Sequence, residues 1–283
     1  MGVMGCVLFC GGLAAAQVTP ADTTYRIRYH WTEAVGSAAL FGGYFALRSL
    51  GPRQREGTAP SDGVVQWDPV AAAYSDLLGD PRSGLGFNVP VLTTVGIGLF
   101  AGMTDDSTRS GITHGLIVVE AVAVNAVTTE ILKLIISRPR PYTSDEFQNA
   151  YPQAVVSTEV QASMTEEGHF SAWKSMPSGH TSMTAATLFS AATLLAMRGP
   201  QPMVSTTAYC VAGALTATTG YLRVQAGVHY PGDVAVGAML GATIGVGIAG
   251  LHGVFVGGDQ THATSESVMG DREVSLLRLS GHW

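Results

Sequence analysis

Apolar residues form segments of helical length along this chain, and polar stretches separate them. The apolar segments cover residues 34–47, 85–103, 111–136, 180–197, 204–221 and 234–252. A helix needs about 20 apolar residues to cross roughly 30 Å of hydrocarbon. Residues 234–251 approach that length without a charged side chain, whereas residues 34–47 are short for a span. The pattern predicts an all-α helical bundle with five or six transmembrane helices, five if residues 34–47 do not cross the membrane.

Polar side chains interrupt the long helix predicted for residues 111–136. They are Glu120, Asn125, Glu130 and Lys133. Polar groups inside an apolar helix usually face the interior of a bundle or a functional site. Since Glu120 and Asn125 lie away from any motif, the simplest interpretation is that they form hydrogen bonds between helices.

The two ends of the chain differ from this apolar middle. Residues 3–16 form a short apolar run that ends in alanines, which resembles a signal-peptide core and predicts cleavage after Ala16, although the usual preceding basic residues are missing. The predicted divisions are a signal peptide at 1–16, an N-terminal region with short helices at 17–84, one of them at 67–78, a helical core at 85–256 and a polar tail at 257–283.

The position of the polar stretches depends on how many segments cross. A cleaved signal would leave the new N-terminus outside the cytoplasm. Five spans would then place the stretches 137–179 and 222–233 outside as well, and six would place them inside. Because residues 34–47 are short for a span, we expect five, with these stretches facing the periplasm or the cell exterior. Residues 142–176 are expected to be a long polar loop of the kind that covers a binding site.

Charge narrows the classes of partner. Charged residues make up only 13% of the chain, against about 25% in a typical soluble domain. The formal net charge is −6, and a nucleic-acid-binding protein needs a basic face. We therefore expect a bilayer as a partner and no nucleic acid, while the oligomeric state stays open. Any local cluster of Arg and Lys in such an acidic chain has a specific role.

Two basic or glycine-containing stretches lie at the ends of predicted helices. In KLIISRPRP, Lys133 lies in the last turn of its helix and Arg140 lies just past its end. Taken alone, they could be cations that cap a helix C-terminus. In PSGH, Gly179 lets the backbone approach a ligand closely, and the free N–H groups of the first helical turn can bind an anion. Ser178 alone would be interpreted as an N-cap.

A third stretch, RVQAGVHYPGD, joins the last two apolar segments. Pro231 suits a first helical position, so Asp233 lies in the first turn of the last helix. There it can bond one nitrogen of His229 and leave the other nitrogen free and basic. Taken alone, Asp233 could be a favourable charge at a helix N-terminus, and His229 with Asp233 could be half of a metal site.

Together the three stretches meet the needs of one ligand. A phosphate carries two negative charges on three oxygens, which Arg140 and Arg223 can bind bidentately and Lys133 can bind as a point charge. The backbone amides of Gly179 and His180 can hold a remaining oxygen. The two histidines can then supply a nucleophile and a general acid.

In this order and spacing the three stretches resemble the signature of the type 2 phosphatidic acid phosphatase (PAP2) superfamily. That superfamily includes lipid phosphatases, bacterial class A acid phosphatases and vanadium haloperoxidases. The resemblance covers residues 133–233, and the flanking apolar helices agree with the helical core of the family. One position departs from the signature, because Leu222 stands where the family usually has a serine. The hydrogen bond to phosphate that this serine would supply is therefore expected to be missing.

The resemblance implies a role for each motif residue. His229 would attack phosphorus and form a phosphohistidine, Asp233 would orient it, and His180 would protonate the leaving alkoxide. The phosphoryl group would be bound by Lys133, Arg140, Ser178, Gly179 and Arg223. No metal and no other cofactor would be required. In bacterial members of this type the site usually faces away from the cytoplasm.

These expectations lead to a membrane-embedded phosphatase that acts on lipid phosphates, either monoesters or pyrophosphates. The alternative is a soluble exported acid phosphatase that acts on water-soluble monoesters. A haloperoxidase is less favoured, because its halide-site residues are not identifiable. A metal hydrolase built on His229 and Asp233 is disfavoured, because no HExxH or similar spacing exists. A non-catalytic membrane protein that retained the motifs is the last alternative.

Overall fold

The computed structural model describes residues 29–50, 68, 108–152, 172–198 and 201–253, and regular structure in these residues is helical throughout. The α-helices are α1 Trp31–Arg48, α2 Thr108–Ile136, α3 Asp145–Ala150, α4 Gly179–Met197, α5 Pro202–Gln225 and α6 Pro231–Gly253. This confirms the predicted all-α fold. The predicted signal peptide, the apolar segment 85–103 and the polar tail lie outside the described residues, as does the short helix 67–78 apart from Asp68.

The helices extend beyond the apolar segments that predicted them. α5 continues to Gln225, so Arg223 lies in its last turn. The predicted polar loop 142–176 is partly helical, because a 3-10 turn at Pro141–Thr143 leads into α3. α3 begins where Ser144 Oγ accepts a hydrogen bond from the Phe147 amide at 3.2 Å. This capping bond was not recognised in the sequence as a helix start.

The loop after α2 packs on the turn between α5 and α6. One buried cluster consists of Tyr142, Phe147, Ala172, Ala226 and Val228. Gly227 has φ 73°, and a Cβ on it would collide with the Phe147 ring. A glycine is therefore needed at this turn both for its backbone angle and for the close approach of the aromatic ring. The cluster fixes the loop against the stretch that carries His229.

The helices share one polar end. α1 packs against α2, α2 against α4, and α4 against α5. α1, α2 and α5 finish at this end, where Lys174 Nζ donates to the Arg48 carbonyl at 3.0 Å. α4 and α6 begin there, since the Ser178 amide donates to the Asp233 carbonyl at 3.0 Å. Residues at these helix ends are therefore close in space although they are far apart in the chain.

Glycines on one face of α6 allow it to approach α4 closely. A Cβ on Gly237 would lie 2.7 Å from the Ser178 carbonyl oxygen, and one on Gly245 would lie 2.6 Å from the Ala186 carbonyl oxygen. A Cβ on Gly241, between them, would collide with the Ser182 carbonyl oxygen. Small residues at a helix interface permit this backbone-to-backbone contact. Here they bring the first turns of α4 and α6 together.

Polar side chains inside the bundle bond to one another across helices. Asn125 Nδ2 donates to Ser182 Oγ at 3.1 Å, and Glu120 Oε2 lies 3.1 Å from His252 Nε2. The interpretation of Asn125 and Glu120 as interhelical hydrogen-bonding groups is therefore confirmed.

The exterior of the bundle is apolar. Exposed large hydrophobic side chains occur on four helices, among them Trp31, Val35, Ile131, Ile135, Val204, Val211, Leu215, Met239 and Leu251. By length and composition, two stretches in the described residues could cross a membrane, namely Gly111–Ala150, whose first part is α2, and α6. The expected total of five or six spans stays a prediction.

Candidate active site

The Asp233 carboxylate accepts hydrogen bonds from three other groups of the site. The carboxylate is buried in the first turn of α6, two residues after Pro231 at the first helical position. Oδ2 accepts from the Tyr230 amide at 2.9 Å and from Ser175 Oγ at 2.5 Å. Oδ1 accepts from Arg138 Nη1 at 2.8 Å. The bond to the Tyr230 amide is half of a capping box, so the same carboxylate starts the helix and contacts the site.

His229 lies beside this carboxylate. Its Nδ1 is 3.7 Å from Asp233 Oδ2, which is beyond hydrogen-bond distance, so the interaction is electrostatic in this geometry. The other ring nitrogen, Nε2, is the one that does not face Asp233. The side chain is almost completely buried. The predicted pairing of His229 with Asp233 is therefore present as a contact, while the predicted hydrogen bond is not formed.

Burial lowers the pKa of His229 from its ordinary 6.5 to about 3. The Asp233 carboxylate opposes this shift, and the positive charges of Arg140 and Arg223 add to it. At neutral pH the imidazole is therefore uncharged. An uncharged imidazole has a free electron pair on one nitrogen, which is the form a nucleophile needs.

The PSGH stretch forms the first turn of α4, as predicted. Ser178 occupies the N-cap position, but its hydroxyl is bonded to Thr181 Oγ1 at 3.0 Å rather than to a backbone amide. Its own amide bonds the Asp233 carbonyl, which joins this turn to α6. Gly179 and His180 follow as the first two helical residues, and both are partly exposed.

Lys133 reaches the PSGH turn from the last turn of α2. Its Nζ lies 3.1 Å from the point where a Cβ on Gly179 would stand. The missing side chain of Gly179 therefore makes room for this ammonium group. Lys133 Nζ also donates to Glu130 Oε1 at 2.8 Å. The predicted meeting of these two motifs is present in the structure.

The two arginines of the predicted phosphate site act on the same histidine. Arg223 is buried in the last turn of α5. Arg140 follows α2, and its amide donates to the Ala172 carbonyl at 2.8 Å. Both charges contribute to the pKa of His229, which places them within electrostatic reach of its ring. Leu222, the position that departs from the family signature, precedes Arg223 on α5 and is partly exposed.

Four residues of this region were not identified from the sequence. They are Glu130, Arg138, Lys174 and Ser175. Arg138 pairs with Asp233 and also lies 4.3 Å from the centre of the Tyr230 ring. Its place in the run Arg-Pro-Arg was a usable signal, and Glu130 lies one helical turn before Lys133. Nothing in the sequence marked Lys174 or Ser175, because their partners are distant along the chain.

Potential metal ligands cluster elsewhere. Within the part of the chain that the structure describes, Glu33, Glu120 and His252 are the one group of three such residues whose ligand atoms all lie within 4.8 Å of one another. This group lies along the bundle, away from His229 and Asp233.

The fold and these residues together define an all-α protein with a polar, cation-rich site at one end of a helical bundle. Residues 114–254, about half of the chain, match the family model of the PAP2 superfamily, and the chain belongs to that superfamily. Membership supports phosphatase activity on phosphate esters. A solved structure, that of the first transmembrane PAP2 type phosphatidylglycerolphosphate phosphatase from Bacillus subtilis, is similar to this chain at 21% identity and a TM-score of 0.45. The match covers 88% of this chain and 94% of that one.

Proposed function

We propose that this protein is a membrane-embedded phosphatase that hydrolyses lipid phosphate esters through a phosphohistidine. One observation carries the proposal. A buried, uncharged His229 and the ammonium group of Lys133 beside Gly179 lie at the same end of the bundle. Among the described residues, the carboxylates of Glu130 and Asp233 are contacted by Lys133, Lys174 and Arg138, and the positive charges of Arg140 and Arg223 act on His229 beside them. An excess of positive charge suits a dianionic phosphoryl group.

The first chemical step transfers the phosphoryl group to the protein. His229 Nε2 attacks phosphorus, so a P–N bond forms while the bond between phosphorus and the ester oxygen breaks. His180 gives its proton to the leaving oxygen, which departs as an alcohol. Asp233 faces Nδ1 and stabilises the positive charge that develops on the ring. Lys133, Arg140, Arg223 and the first amides of α4 bind the phosphoryl oxygens.

The second step regenerates the enzyme. The neutral His180 takes a proton from a water molecule, and the resulting hydroxide attacks phosphorus. The P–N bond breaks, His229 recovers its electron pair, and phosphate leaves. No redox change occurs, and the proton that His180 lost in the first step is returned in the second. One ester bond and one water molecule are consumed for each phosphate released.

The distribution of polarity supports a membrane location and a lipid substrate. Buried Ser, Thr and Asn side chains fill the interior, whereas large apolar side chains such as Ile135, Val211 and Leu215 face outward. Extensive exposed apolar surface is typical of contact with lipid. Because the site lies at the ends of the helices, a lipid headgroup at the membrane surface could enter it while the acyl chains remain in the bilayer.

We propose further that the site opens away from the cytoplasm. The direction of α1 then determines on which side of the membrane residue 30 lies. Glu33 near the start of α1 lies beside His252 at the end of α6, while Arg48 lies at the site end. If α6 crosses the membrane, α1 crosses with it, and the site faces the side opposite to residue 30. If the site is extracytoplasmic, residue 30 must therefore be cytoplasmic. Because cleavage of a signal peptide would leave residue 30 outside the cytoplasm, this orientation requires that residues 3–16 are retained. Cleavage after Ala16 would instead bring the site to the cytoplasmic face.

Cysteine labelling tests this orientation. Asn149 on α3 and Gln201 before α5 are exposed and lie towards opposite ends of the bundle. After replacement of all three native cysteines, Cys6, Cys10 and the exposed Cys210, by serine, Asn149→Cys should react with an impermeant maleimide in intact cells, with any outer membrane permeabilised. Gln201→Cys should react only after lysis. The reverse pattern would establish a cytoplasmic site and overturn this part of the proposal.

The activity itself is tested with detergent-purified protein. Phosphate release should be observed from lipid phosphates in mixed micelles and should exceed release from soluble monoesters. His229→Ala should abolish turnover while the protein keeps its thermal unfolding temperature within a few degrees. A rapid alkaline quench with phosphorus-labelled substrate should trap phosphohistidine in the wild type only. Retained turnover in His229→Ala would refute the nucleophile, and preference for soluble monoesters would refute the lipid substrate.

A further inference from the structure

Glu130 stands between two lysines at the site end of α2. Its Oε1 accepts from Lys133 Nζ at 2.8 Å, and its Oε2 accepts from Lys174 Nζ at 3.4 Å. The Glu130 and Lys174 side chains are 4% and 7% exposed. Surface ion pairs one helical turn apart contribute little, but a buried carboxylate shared by two ammonium groups is screened much less by solvent.

The same carboxylate fixes where the Lys133 ammonium lies. Lysine is a flexible chain with a strongly hydrated charge, and it loses conformational freedom when it is held in one place. Here Nζ is held between Glu130 and the position above Gly179, next to the first amides of α4. An ammonium group has three donors, so one bond to Glu130 leaves two donors for phosphoryl oxygens.

Lys174 anchors Glu130 from the other side. Its Nζ also donates to the Arg48 carbonyl at the end of α1. The carboxylate of Glu130 is therefore tied to α1 through Lys174 as well as to its own helix. Rotation of Glu130 away from Lys133 would also break its contact with Lys174. The arrangement fixes the carboxylate more firmly than a pair on one helix would.

We propose that Glu130 is a positioning residue of this phosphatase, which holds the Lys133 ammonium at the phosphoryl site before the substrate arrives. The inference rests on the proposed function, since it gives Glu130 a task only if Lys133 binds phosphate. Glu130 itself need not touch the substrate. It acts through Lys133, so its removal should matter only while Lys133 is present.

A double-mutant cycle separates this role from a merely structural one. Glu130→Gln keeps the shape and removes the charge that Lys133 and Lys174 share. It should raise the KM for the lipid phosphate and the Kd for vanadate by roughly tenfold, with a smaller change in kcat. Lys133→Met should raise the KM and the vanadate Kd at least as much. The double variant Glu130→Gln/Lys133→Met should lie within about twofold of Lys133→Met alone.

Glu120→Gln is the matched control, because it makes the same change on the same helix to a carboxylate that pairs with His252. It should lower thermal stability without changing KM or vanadate affinity. If Glu130→Gln does not fold, Glu130→Asp keeps the charge but withdraws the carboxylate by one methylene. Glu130→Asp should lose less vanadate affinity than is expected for Glu130→Gln. This loss should again disappear when Lys133 is replaced by Met.

The outcomes distinguish the inference from the function on which it rests. A wild type that binds vanadate but releases no phosphate would refute the proposed function, and the vanadate cycle would still test Glu130. If the wild type is active and the effects of Glu130→Gln and Lys133→Met on KM and on the vanadate Kd multiply in the double variant, the positioning role alone is refuted. A wild type that neither binds vanadate nor hydrolyses an ester would refute both.

Discussion

Gly237 lies at the closest approach between α6 and the PSGH turn, and adding one methyl group there should damage both packing and catalysis. A Cβ at this position would stand 2.7 Å from the Ser178 carbonyl oxygen and 3.3 Å from the Ser178 amide nitrogen. Both contacts are with backbone, so no side-chain rotation can relieve them. The Ser178 peptide is itself bonded to the Asp233 carbonyl at 3.0 Å, which leaves it little freedom to move.

The size of the effect follows from the overlap. Ordinary contacts begin near 3.4 Å, so Gly237→Ala should shift α6 against α4 by roughly 0.7 Å. This shift separates Ser178 and Gly179 from His229 and Asp233, which belong to opposite sides of the interface. A misplacement of about 1 Å can cost about a hundredfold in rate. We expect kcat/KM to fall by roughly ten- to a hundredfold and the free energy of unfolding to fall by about 1–3 kcal/mol.

Gly247 on the same helix provides the control. A Cβ there would meet nothing within 4 Å. Gly247→Ala should leave kcat/KM unchanged and should stabilise the helix by up to about 1 kcal/mol, because alanine loses less conformational entropy than glycine. The assays are phosphate release in detergent micelles and thermal unfolding of the same preparations. Equal kcat/KM values for Gly237→Ala and Gly247→Ala would refute the reasoning.

Because the folded pKa of His229, about 3, lies below its unfolded value, its contribution to stability is complete above pH 6.5 and is lost as the pH falls. Between pH 7 and pH 5 the free energy of unfolding of the wild type should fall by about 2 kcal/mol more than that of His229→Gln. An equal fall in the two proteins would contradict this. Activity should survive excess EDTA and be inhibited by vanadate, which mimics the transition state of phosphoryl transfer, whereas loss with EDTA and rescue by zinc would favour a metal site. If the new hydroxyl of Leu222→Ser restores a hydrogen bond to phosphate, the KM should fall, by less than about tenfold. An unchanged KM would show that another group already supplies this hydrogen bond.

The helices were predictable because their cause is local. Apolar runs of helical length and the proline at position 231 are visible in the sequence, and the structure has α6 beginning at Pro231. The meeting of Lys133 with the PSGH turn was also predictable, since the motifs lie at helix ends that alternate in direction. α3 was missed because its start depends on one capping hydroxyl within a polar stretch.

The partners of Asp233 were not predictable, because they depend on how side chains point after the chain turns. Ser137 adopts φ 47° after α2, and this left-handed residue redirects the chain. Arg138, the next residue, makes a shorter charged contact with Asp233 than His229 does. The sequence offers two arginines in the run Arg-Pro-Arg and does not say which one faces the carboxylate.

The bonds of Asp233 also determine when a site can exist at all. Its carboxylate binds Arg138 from the end of α2, and its carbonyl binds the amide of Ser178 at the start of α4. Neither α6 alone nor the segment from α2 to α4 alone contains a complete set of these groups. If the chain were cut between α4 and α5 and the two pieces were expressed separately, each piece should be inactive. Phosphate release that appears when the pieces are expressed together would then report their reassembly in the membrane.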